Sequence, residues 1–431
     1  MAFGVADTVI AGQYSDTALA ALSVGSALYV SIFIALMGAV QALLPIWAEM
    51  LGAGQQEAIG RSLRQGLYLC GFITLAGITV LLMAGPLLRW TQVPELLREE
   101  VRHYLTVLAF AFAPSILFRL YSTFNQSLGR PLLVTWLQLG ALMVKIPLSI
   151  LLVAGTGQMA PMGAVGCAWA TLIVNYLLLA VALLMLRTQP LYKPYRLWRP
   201  IEPIDWSQMG RFARLGIPGG LAYLVEVTSF TLMALFIARL GTVVSASHQI
   251  AASVAAVLYM MPLSFAIACS ARVSFWLGAG RPDNAKRVVL IGLRLAIIVA
   301  FAHMVALLTV SQLIASLYSG NPEIVTMGAS LLLWVAIYHM GDAVQILCAF
   351  LLRCYRITLT PLALYGVLLW GLGLYGGYQL AYKGAAGWIP TQSASSFWAA
   401  ATLAIGLVAS SLMALLWFAV KKSLHLKPSR G

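Results

Sequence analysis

The sequence predicts an all-α integral membrane protein of twelve transmembrane helices in two parallel six-helix bundles, and three observations lead to this prediction. Of the 431 residues, 61% are hydrophobic and 9% are charged, whereas a soluble domain carries about 25% charged residues. The apolar residues form long runs of the length that crosses a bilayer. Basic residues gather in alternate connections between these runs. Most of the chain is therefore expected to face lipid or other helices.

Apolar windows of about 20 residues predict eleven spanning helices. They are expected near residues 17–50, 62–87, 104–127, 131–154, 163–186, 213–239, 246–277, 288–317, 325–352, 358–382 and 397–420. The stretch Met1–Gly12 is helical in character, but at ~1.5 Å per residue it reaches only half way across. We expect it to be the end of a longer first helix whose start is truncated or misassigned at Met1. Restoring that helix would bring the number to twelve.

The distribution of basic residues predicts the orientation of the chain. The formal net charge is +14, but the cations are scattered between apolar runs and form no basic face, so no nucleic-acid partner is expected. One set of connections, together with the C-terminal end, holds most Lys and Arg, including Arg64 and Arg353. The other set holds Arg89, Arg98, Arg102, Arg239 and Lys383. The positive-inside rule then places both termini in the cytoplasm.

An internal repeat divides the predicted helices into two groups of six. The sequence LGAG at Leu51–Gly54 recurs at Leu277–Gly280, each time after a long apolar helix. We predict an N-terminal lobe, a proline-containing cytoplasmic linker, a C-terminal lobe and a cytoplasmic tail. Their boundaries are 1–187, 188–211, 212–420 and 421–431. Parallel repeats related by a pseudo-two-fold axis are typical of transporters that bind substrate between two lobes.

Three acidic residues, Asp7, Glu226 and Asp342, lie inside apolar helices, while the other acids fall in connections or at helix ends. An ionised carboxylate at mid-membrane costs roughly 3 kcal/mol on insertion scales. Each of the three therefore needs a partner, a bound cation or a proton. The alternative interpretation is a permanently paired or neutral carboxyl group that only holds helices together. Glu226 and Asp342 belong to the same predicted lobe and could converge on one cavity.

Two neighbours of Asp342 share its helix face. Tyr338 precedes it by four residues and His339 by three, and both spacings place side chains side by side on a helix. The phenol of Tyr338 could donate to a carboxylate or ligate a small cation, or it could simply fill a helix seam. The imidazole of His339 could pass protons to Asp342. Because the sequence near it supplies no second histidine, a packing role for His339 is favoured.

A set of motifs in order along the chain resembles a known family. The motifs are FGVADTVIAG at Phe3–Gly12, LGAG after the second and eighth helices, SLGRP at Ser127–Pro131, GAVGCAWAT at Gly163–Thr171, LVEVTSF at Leu224–Phe230 and GDAVQ at Gly341–Gln345. Together they resemble the multidrug and toxic compound extrusion family, in its bacterial NorM-like branch, over nearly the whole chain. The resemblance implies that Asp7 is a coupling residue of the N-terminal lobe. It also implies that Glu226, Asp342 and Tyr338 form the cation site of the C-terminal lobe.

The fifth predicted helix departs from the family pattern. Where the family usually reads Asn-Val-Pro-Leu-Asn, this chain has Lys-Ile-Pro-Leu-Ser at 145–149. The resemblance implies that Lys145, Ser149 and Thr171 belong to a polar network around Asp7. A lysine that reaches Asp7 would take the place of a bound cation, so Na⁺ in this lobe becomes doubtful. The alternative is that Lys145 extends to the membrane interface.

These observations favour a secondary active multidrug antiporter. It would export amphipathic, often cationic small molecules in exchange for inward H⁺ or Na⁺, as a monomer in the lipid bilayer and without a cofactor. If Na⁺ is the coupling ion, its ligands would be Glu226, Asp342 and Tyr338. A flippase for lipid-linked saccharides is the first alternative and would need a larger cationic cavity for pyrophosphate. A channel or a membrane enzyme is the second, but the sequence contains neither a filter nor a clustered nucleophile and base.

Overall fold

The computed structural model describes residues 2–83, 85, 95–155, 160–384 and 389–425. Within these ranges the chain is helical apart from short connections, and none of them contains a strand. The predicted start at Met1, the basic residue Arg89 and the tail beyond His425 lie outside the described residues. The all-helical fold class is as predicted.

The first half of the described chain contains seven helices and one short 3₁₀ turn. They are α1 (Ala2–Tyr14), α2 (Asp16–Gln41), α3 (Leu43–Gly52), α4 (Gln56–Leu82), α5 (Glu95–Ser127), α6 (Pro131–Ala154), α7 (Ala164–Thr188) and the 3₁₀ turn Pro190–Tyr195. The single helix predicted near residues 17–50 is divided in two at Ala42. The hydroxyl of Ser15 caps α2 by accepting a hydrogen bond of 3.1 Å from the backbone nitrogen of Ala18, which fixes the start of this helix directly after α1.

The second half contains six long helices. They are α8 (Trp206–Ala238), α9 (Thr242–Gly278), α10 (Pro282–Tyr318), α11 (Pro322–Cys354), α12 (Leu359–Lys383) and α13 (Ala394–His425). Proline at the first position of α10 and α11 suits a helix start because its missing N–H would have no partner there. Most of α12 has the wider π-helical hydrogen bonding, over Gly366–Tyr375 and Gln379–Lys383. This helix corresponds to the span that the sequence predicts near residues 358–382.

Eleven helices of the described chain are long and apolar enough to cross a membrane, with α2 and α3 counted together. All eleven predicted spans are therefore confirmed. The first helix, α1, has only 13 residues and is not among the eleven. It packs against α2, α6 and α7, and the side chain of Asp7 is buried among them.

The helices form two compact units. The N-terminal unit comprises Met1–Leu51 and Gln55–Gly216, and the C-terminal unit comprises Gly52–Gly54 and Ile217–Gly431. The core of the N-terminal unit is built around buried aromatic side chains such as Trp47, Phe112 and Phe124. In the C-terminal unit α11 is the central helix, because it packs against α9, α10 and α13 and is buried over most of its length. A central helix is a place where a polar side chain must find its partners within the protein.

The segment that the sequence predicts to be a linker is docked on the N-terminal unit. The guanidinium of Arg64 on α4 donates to both carboxylate oxygens of Glu202, from Nε at 2.8 Å and also from Nη2. The amide of Gln65 donates to the carbonyl of Pro203 at 2.9 Å, and the hydroxyl of Tyr192 donates to Asn125 at 2.7 Å. The hydrogen bonds from Arg64 lower the pKa of Glu202 to about 2. Arg64 is one of the basic residues from which the sequence predicts the orientation of the chain. It also binds the linker.

Candidate functional site

The first polar site surrounds Asp7 in the N-terminal unit. The ammonium of Lys145 on α6 lies 2.6 and 2.7 Å from the two carboxylate oxygens of Asp7. The same nitrogen donates to the hydroxyl of Thr171 on α7 at 3.0 Å. Ser149, one turn after Lys145, donates to Asp7 Oδ1 at 3.3 Å. The structure thus brings together all four residues that the sequence places in this network.

Lys145 is completely buried, with 0% of its surface exposed, so the alternative in which it extends to the interface is wrong. Its three ammonium hydrogens match the three acceptors, two oxygens of Asp7 and one of Thr171. Thr171 is able to accept because it donates its own proton to the carbonyl of Cys167 at 2.9 Å. The ring of Phe3, with its centroid 5.5 Å from the ammonium, covers one side. The site is therefore neutral and its hydrogen bonds are satisfied.

The second polar site lies in the C-terminal unit and joins Glu226 of α8 to Asp342 of α11. The side-chain amide of Gln345 donates to Glu226 Oε1 at 3.3 Å and to Asp342 Oδ1 at 3.1 Å. The hydroxyl of Tyr365 on α12 donates to the carbonyl oxygen of Gln345, which turns the amide nitrogen toward the acids. Glu226 is 9% exposed and Asp342 is 4% exposed. Two buried acids therefore share one uncharged amide.

Tyr338 lies one turn before Asp342 and is buried. Its ring packs edge-on against Phe230 and against Trp398, each with centroids 5.8 Å apart. Tyr338 and Glu226 line the same cavity of about 30 Å³, which is room for about two water molecules. The ring thus fills a helix seam and also borders the acid site. Its function as an ion ligand stays a prediction.

His339 is paired with a second histidine, although none lies near it in the sequence. Its Nε2 lies 3.1 Å from Nδ1 of His303 on α10, so one ring donates to the other. The expectation of a histidine without a second histidine was wrong, because the partner comes from a neighbouring helix, 36 residues earlier in the chain. The pair satisfies a buried imidazole, which agrees with the favoured packing role.

The side chains that could bind a cation would do so through oxygen atoms. No cluster of three His, Cys, Asp or Glu side chains suited to a metal ion occurs in the part of the chain that the structure describes. Hard cations such as Na⁺ prefer carboxylate, carbonyl and hydroxyl oxygens. In the C-terminal unit these are the carboxylates of Glu226 and Asp342, with the side-chain oxygens of Gln345 and Tyr338 nearby. A proton needs only one of the carboxylates.

Sequence reasoning missed Gln345 as a site residue, although it stands in one of the motifs that carry the resemblance. Its spacing of three residues from Asp342 could have indicated it, because residues three apart are neighbours on a helix surface. The partner on α8 could not be found from spacing. Gln345 and Glu226 are 119 residues apart in the chain.

Comparison with known proteins places the chain among membrane transporters. A family model described as MatE matches residues 1–151 and 218–378. A "Probable multidrug resistance protein NorM" from Aromatoleum aromaticum is 36% identical over 94% of this chain and 87% of its own length. A protein of the same name from Chromobacterium violaceum is 33% identical over 97% of this chain and 90% of its own length.

Solved structures agree with the fold. The eukaryotic MATE transporter AtDTX14 matches with a TM-score of 0.87 at 19% identity, over 98% of this chain and 93% of that chain. The Vibrio cholerae MATE transporter VcmN in the bent form matches with a TM-score of 0.83 at 16% identity, over 98% and 93% of the two chains. At these identities the matches establish the fold.

Proposed function

Because this chain belongs to the MatE family of multi-pass membrane transporters and is not an enzyme, we propose that it is a secondary active multidrug exporter. Inward movement of H⁺ or Na⁺ would drive the export of amphipathic, often cationic compounds. Two NorM relatives carry "multidrug resistance" in their names, which supports the substrate class. The proposal further places the chain in a bacterial inner membrane as a monomer, with both termini in the cytoplasm.

The observation that carries the proposal is the pair of acids joined by Gln345. Two carboxylates that accept from the same amide lie close together, and both cannot stay ionised in a buried site without a cation. A proton, a Na⁺ ion or the positive group of a drug can each supply that charge. Since any one of them removes the attraction for the others, ion and drug bind in turn. Transport then requires that each favours a different state of the protein.

In the N-terminal unit, we propose that Asp7 and Lys145 form a charge pair that opens when a proton or a cationic drug arrives. The pair supports this because Lys145 already occupies both oxygens of Asp7. An incoming cation must displace the ammonium before it can bind. We therefore assign the coupling ion first to Glu226 and Asp342, and give Asp7 a secondary, gating contribution.

The contacts of the intramembrane cations do not favour the flippase alternative, which needs such cations to bind pyrophosphate. Lys145, one of the intramembrane cations that could hold pyrophosphate, is bound to Asp7. Arg119, the second of three such cations, donates to the side chain of Gln41, and Arg272, the third, lies over the ring of Phe275 at 5.9 Å from the centroid. Cations engaged within the helices are poorly placed to line a large anion cavity.

Ethidium transport by the full-length protein in sealed vesicles tests the proposal. The vesicles would carry a pH gradient, a Na⁺ gradient, both or neither. We expect ethidium movement to follow one of the two gradients and to fail in Glu226→Gln and Asp342→Asn. The matched control is Glu323→Gln, the same chemical change on an exposed residue at the start of α11. Ethidium movement that persists when both gradients are collapsed would contradict antiport.

A further inference from the structure

Arg353 is a buried cation that the transport proposal does not use. It stands in the last turn of α11, where the sequence suggests an orientation signal facing water or lipid headgroups. In the structure only 6% of it is exposed. Its guanidinium lies over the rings of Phe350, at 4.5 Å from the centroid, and of Tyr223, at 5.4 Å. The aromatic rings cover the faces of the guanidinium and leave its edge for hydrogen bonding.

One edge of the guanidinium has no acceptor. Nη1 of Arg353 is shielded from solvent and has no hydrogen-bond partner in the described part of the chain. No acidic side chain in that part lies within ion-pair distance of Arg353 either. A buried charged donor without an acceptor is costly. Such a group in a native protein indicates that something else fills the place.

Arg353 borders a cavity that could hold the missing acceptor. The cavity is about 10 Å³ and is lined by Arg353, Glu226, Tyr223 and Tyr365, among others. That volume accommodates about one water molecule or an ion of similar size. A whole drug molecule does not fit. While Glu226 is ionised, it can compensate the charge of Arg353 through a water molecule in the shared cavity. Once Glu226 is neutralised, water leaves that charge without a counter-ion, and an arginine prefers carboxylate and other anionic acceptors over neutral ones.

We infer that Arg353 is the anchor of a small-anion site in the C-terminal unit, at which Nη1 binds an inorganic anion of chloride size or one oxygen of a carboxylate. The site shares its cavity with Glu226, so one small space holds a fixed cation beside an acid of the ion-coupling pair. When a cation neutralises Glu226, the charge of Arg353 is balanced by the bound anion. The inference concerns binding and can be tested without any transport measurement.

The test is the thermal unfolding of the purified full-length protein in detergent, titrated with sodium bromide or sodium acetate at constant ionic strength. Sodium isethionate, whose sulfonate group is bulkier than a bromide ion or a carboxylate group, completes the salt. We expect a saturable rise of the unfolding midpoint in the wild type, as for any ligand that binds only the folded state. The rise should be lost in Arg353→Gln. It should remain in Arg356→Gln, the matched control on an exposed residue.

The two probes distinguish the sources of the anion. A rise with bromide supports an inorganic anion, and a rise with acetate alone supports a carboxylate, such as that of a zwitterionic compound. Equal midpoints in bromide, acetate and isethionate would overturn the inference. If Arg353→Gln does not fold, wild-type crystals soaked in bromide decide the matter. An anomalous peak within hydrogen-bond distance of Nη1 supports the site, and a cavity without one overturns it.

Discussion

The two units of this protein bury acids in opposite ways. In the N-terminal unit Asp7 holds its own cation, Lys145, at 2.6 Å. In the C-terminal unit Glu226 and Asp342 share the neutral amide of Gln345. The first site pairs one acid with one cation. The second has two acids and, in the cavity beside Glu226, the single cation Arg353, and we propose that a proton, an ion or a substrate supplies the remaining positive charge. Similar acids in transmembrane helices therefore differ in charge balance, and the residue that partners each acid determines that balance.

The largest expected effect is on stability and separates the two sites. Asp7→Asn leaves the ammonium of Lys145 buried and without its carboxylate, which should lower the free energy of unfolding by about 3–5 kcal/mol. Asp342→Asn removes a carboxylate from a site with no built-in ammonium, so it should leave stability unchanged or raise it. The measurement is the thermal unfolding midpoint of both variants in the same detergent.

The double variant Asp7→Asn with Lys145→Met is the control for this first prediction. It removes both charges and should recover much of the lost stability, since a buried ion pair often adds little over an apolar pair. Equal losses in Asp7→Asn and Asp342→Asn would contradict the distinction between the sites.

The next effect is on transport. Here the C-terminal site should be the sensitive one and the N-terminal site the tolerant one. Asp342→Asn should reduce gradient-driven ethidium transport by about 100-fold, which corresponds to about 2.7 kcal/mol. The physical reason is that the amide side chain can bind neither a proton nor a cation by charge. The double variant of Asp7 and Lys145 should retain most of the transport, because neither charge is needed to bind the coupling ion. Initial rates in vesicles with equal amounts of protein measure both.

A smaller effect is expected from Lys145→Asn, which restores the residue usual in the family. Without the ammonium, a proton can bind Asp7 without displacing a built-in cation. The pH of half-maximal transport should therefore move upward. The expected shift is about one pH unit for each 1.36 kcal/mol by which the ammonium of Lys145 opposes the binding of a proton to Asp7. Transport rates measured between pH 5 and pH 9 test this shift, with Ser149→Ala as the control in the same network. An unchanged pH profile would make Lys145 a spectator.

The smallest expected effect is on stability and concerns the linker. It is seen by comparing two ion pairs that the linker makes. Hydrogen bonds from Arg64 lower the pKa of Glu202 from 4.5 to about 2. The stabilisation is therefore fully present above about pH 4.5 and is lost as the pH falls toward 2. Glu202→Gln should cost about 0.5–1 kcal/mol at neutral pH. Glu57→Gln should cost almost nothing, because Glu57 and its partners Arg196 and Arg199 are more than half exposed.

Unfolding midpoints of the wild type and Glu202→Gln across the acidic range measure this effect. The difference between the two proteins should shrink as the pH falls from 4.5 toward 2. A difference that stays constant over this range would show that the docked linker does not depend on the ionised carboxylate.

The sequence predicts the spans well because membrane crossing depends on composition over a window, which is local information. The partners of Asp7 follow from the resemblance, which implies a polar network of Lys145, Ser149 and Thr171 around it. Beyond this network, the sequence does not predict which polar groups meet across helices. The bridge from Gln345 to Glu226 and the contact between His303 and His339 both join residues on different helices.

Two basic residues illustrate the limit of charge counting. Both Arg64 and Arg353 belong to the connections that are rich in basic residues, and both are nevertheless buried. Arg64 binds the linker, and Arg353 lies over two aromatic rings. The positive-inside rule concerns the side of the membrane on which a cation resides, and it carries no information about whether that cation also has a specific partner.

We propose that the coupling cation and a cationic drug compete at Glu226 and Asp342. Ethidium binding to the purified protein, followed by fluorescence anisotropy over a range of pH and Na⁺ concentrations, measures this competition. Protons or Na⁺ should weaken ethidium binding competitively in the wild type and in the double variant of Asp7 and Lys145. In Glu226→Gln with Asp342→Asn the competition should disappear. Competition that persists unchanged in that last variant would show that protons and Na⁺ act elsewhere than at these two acids.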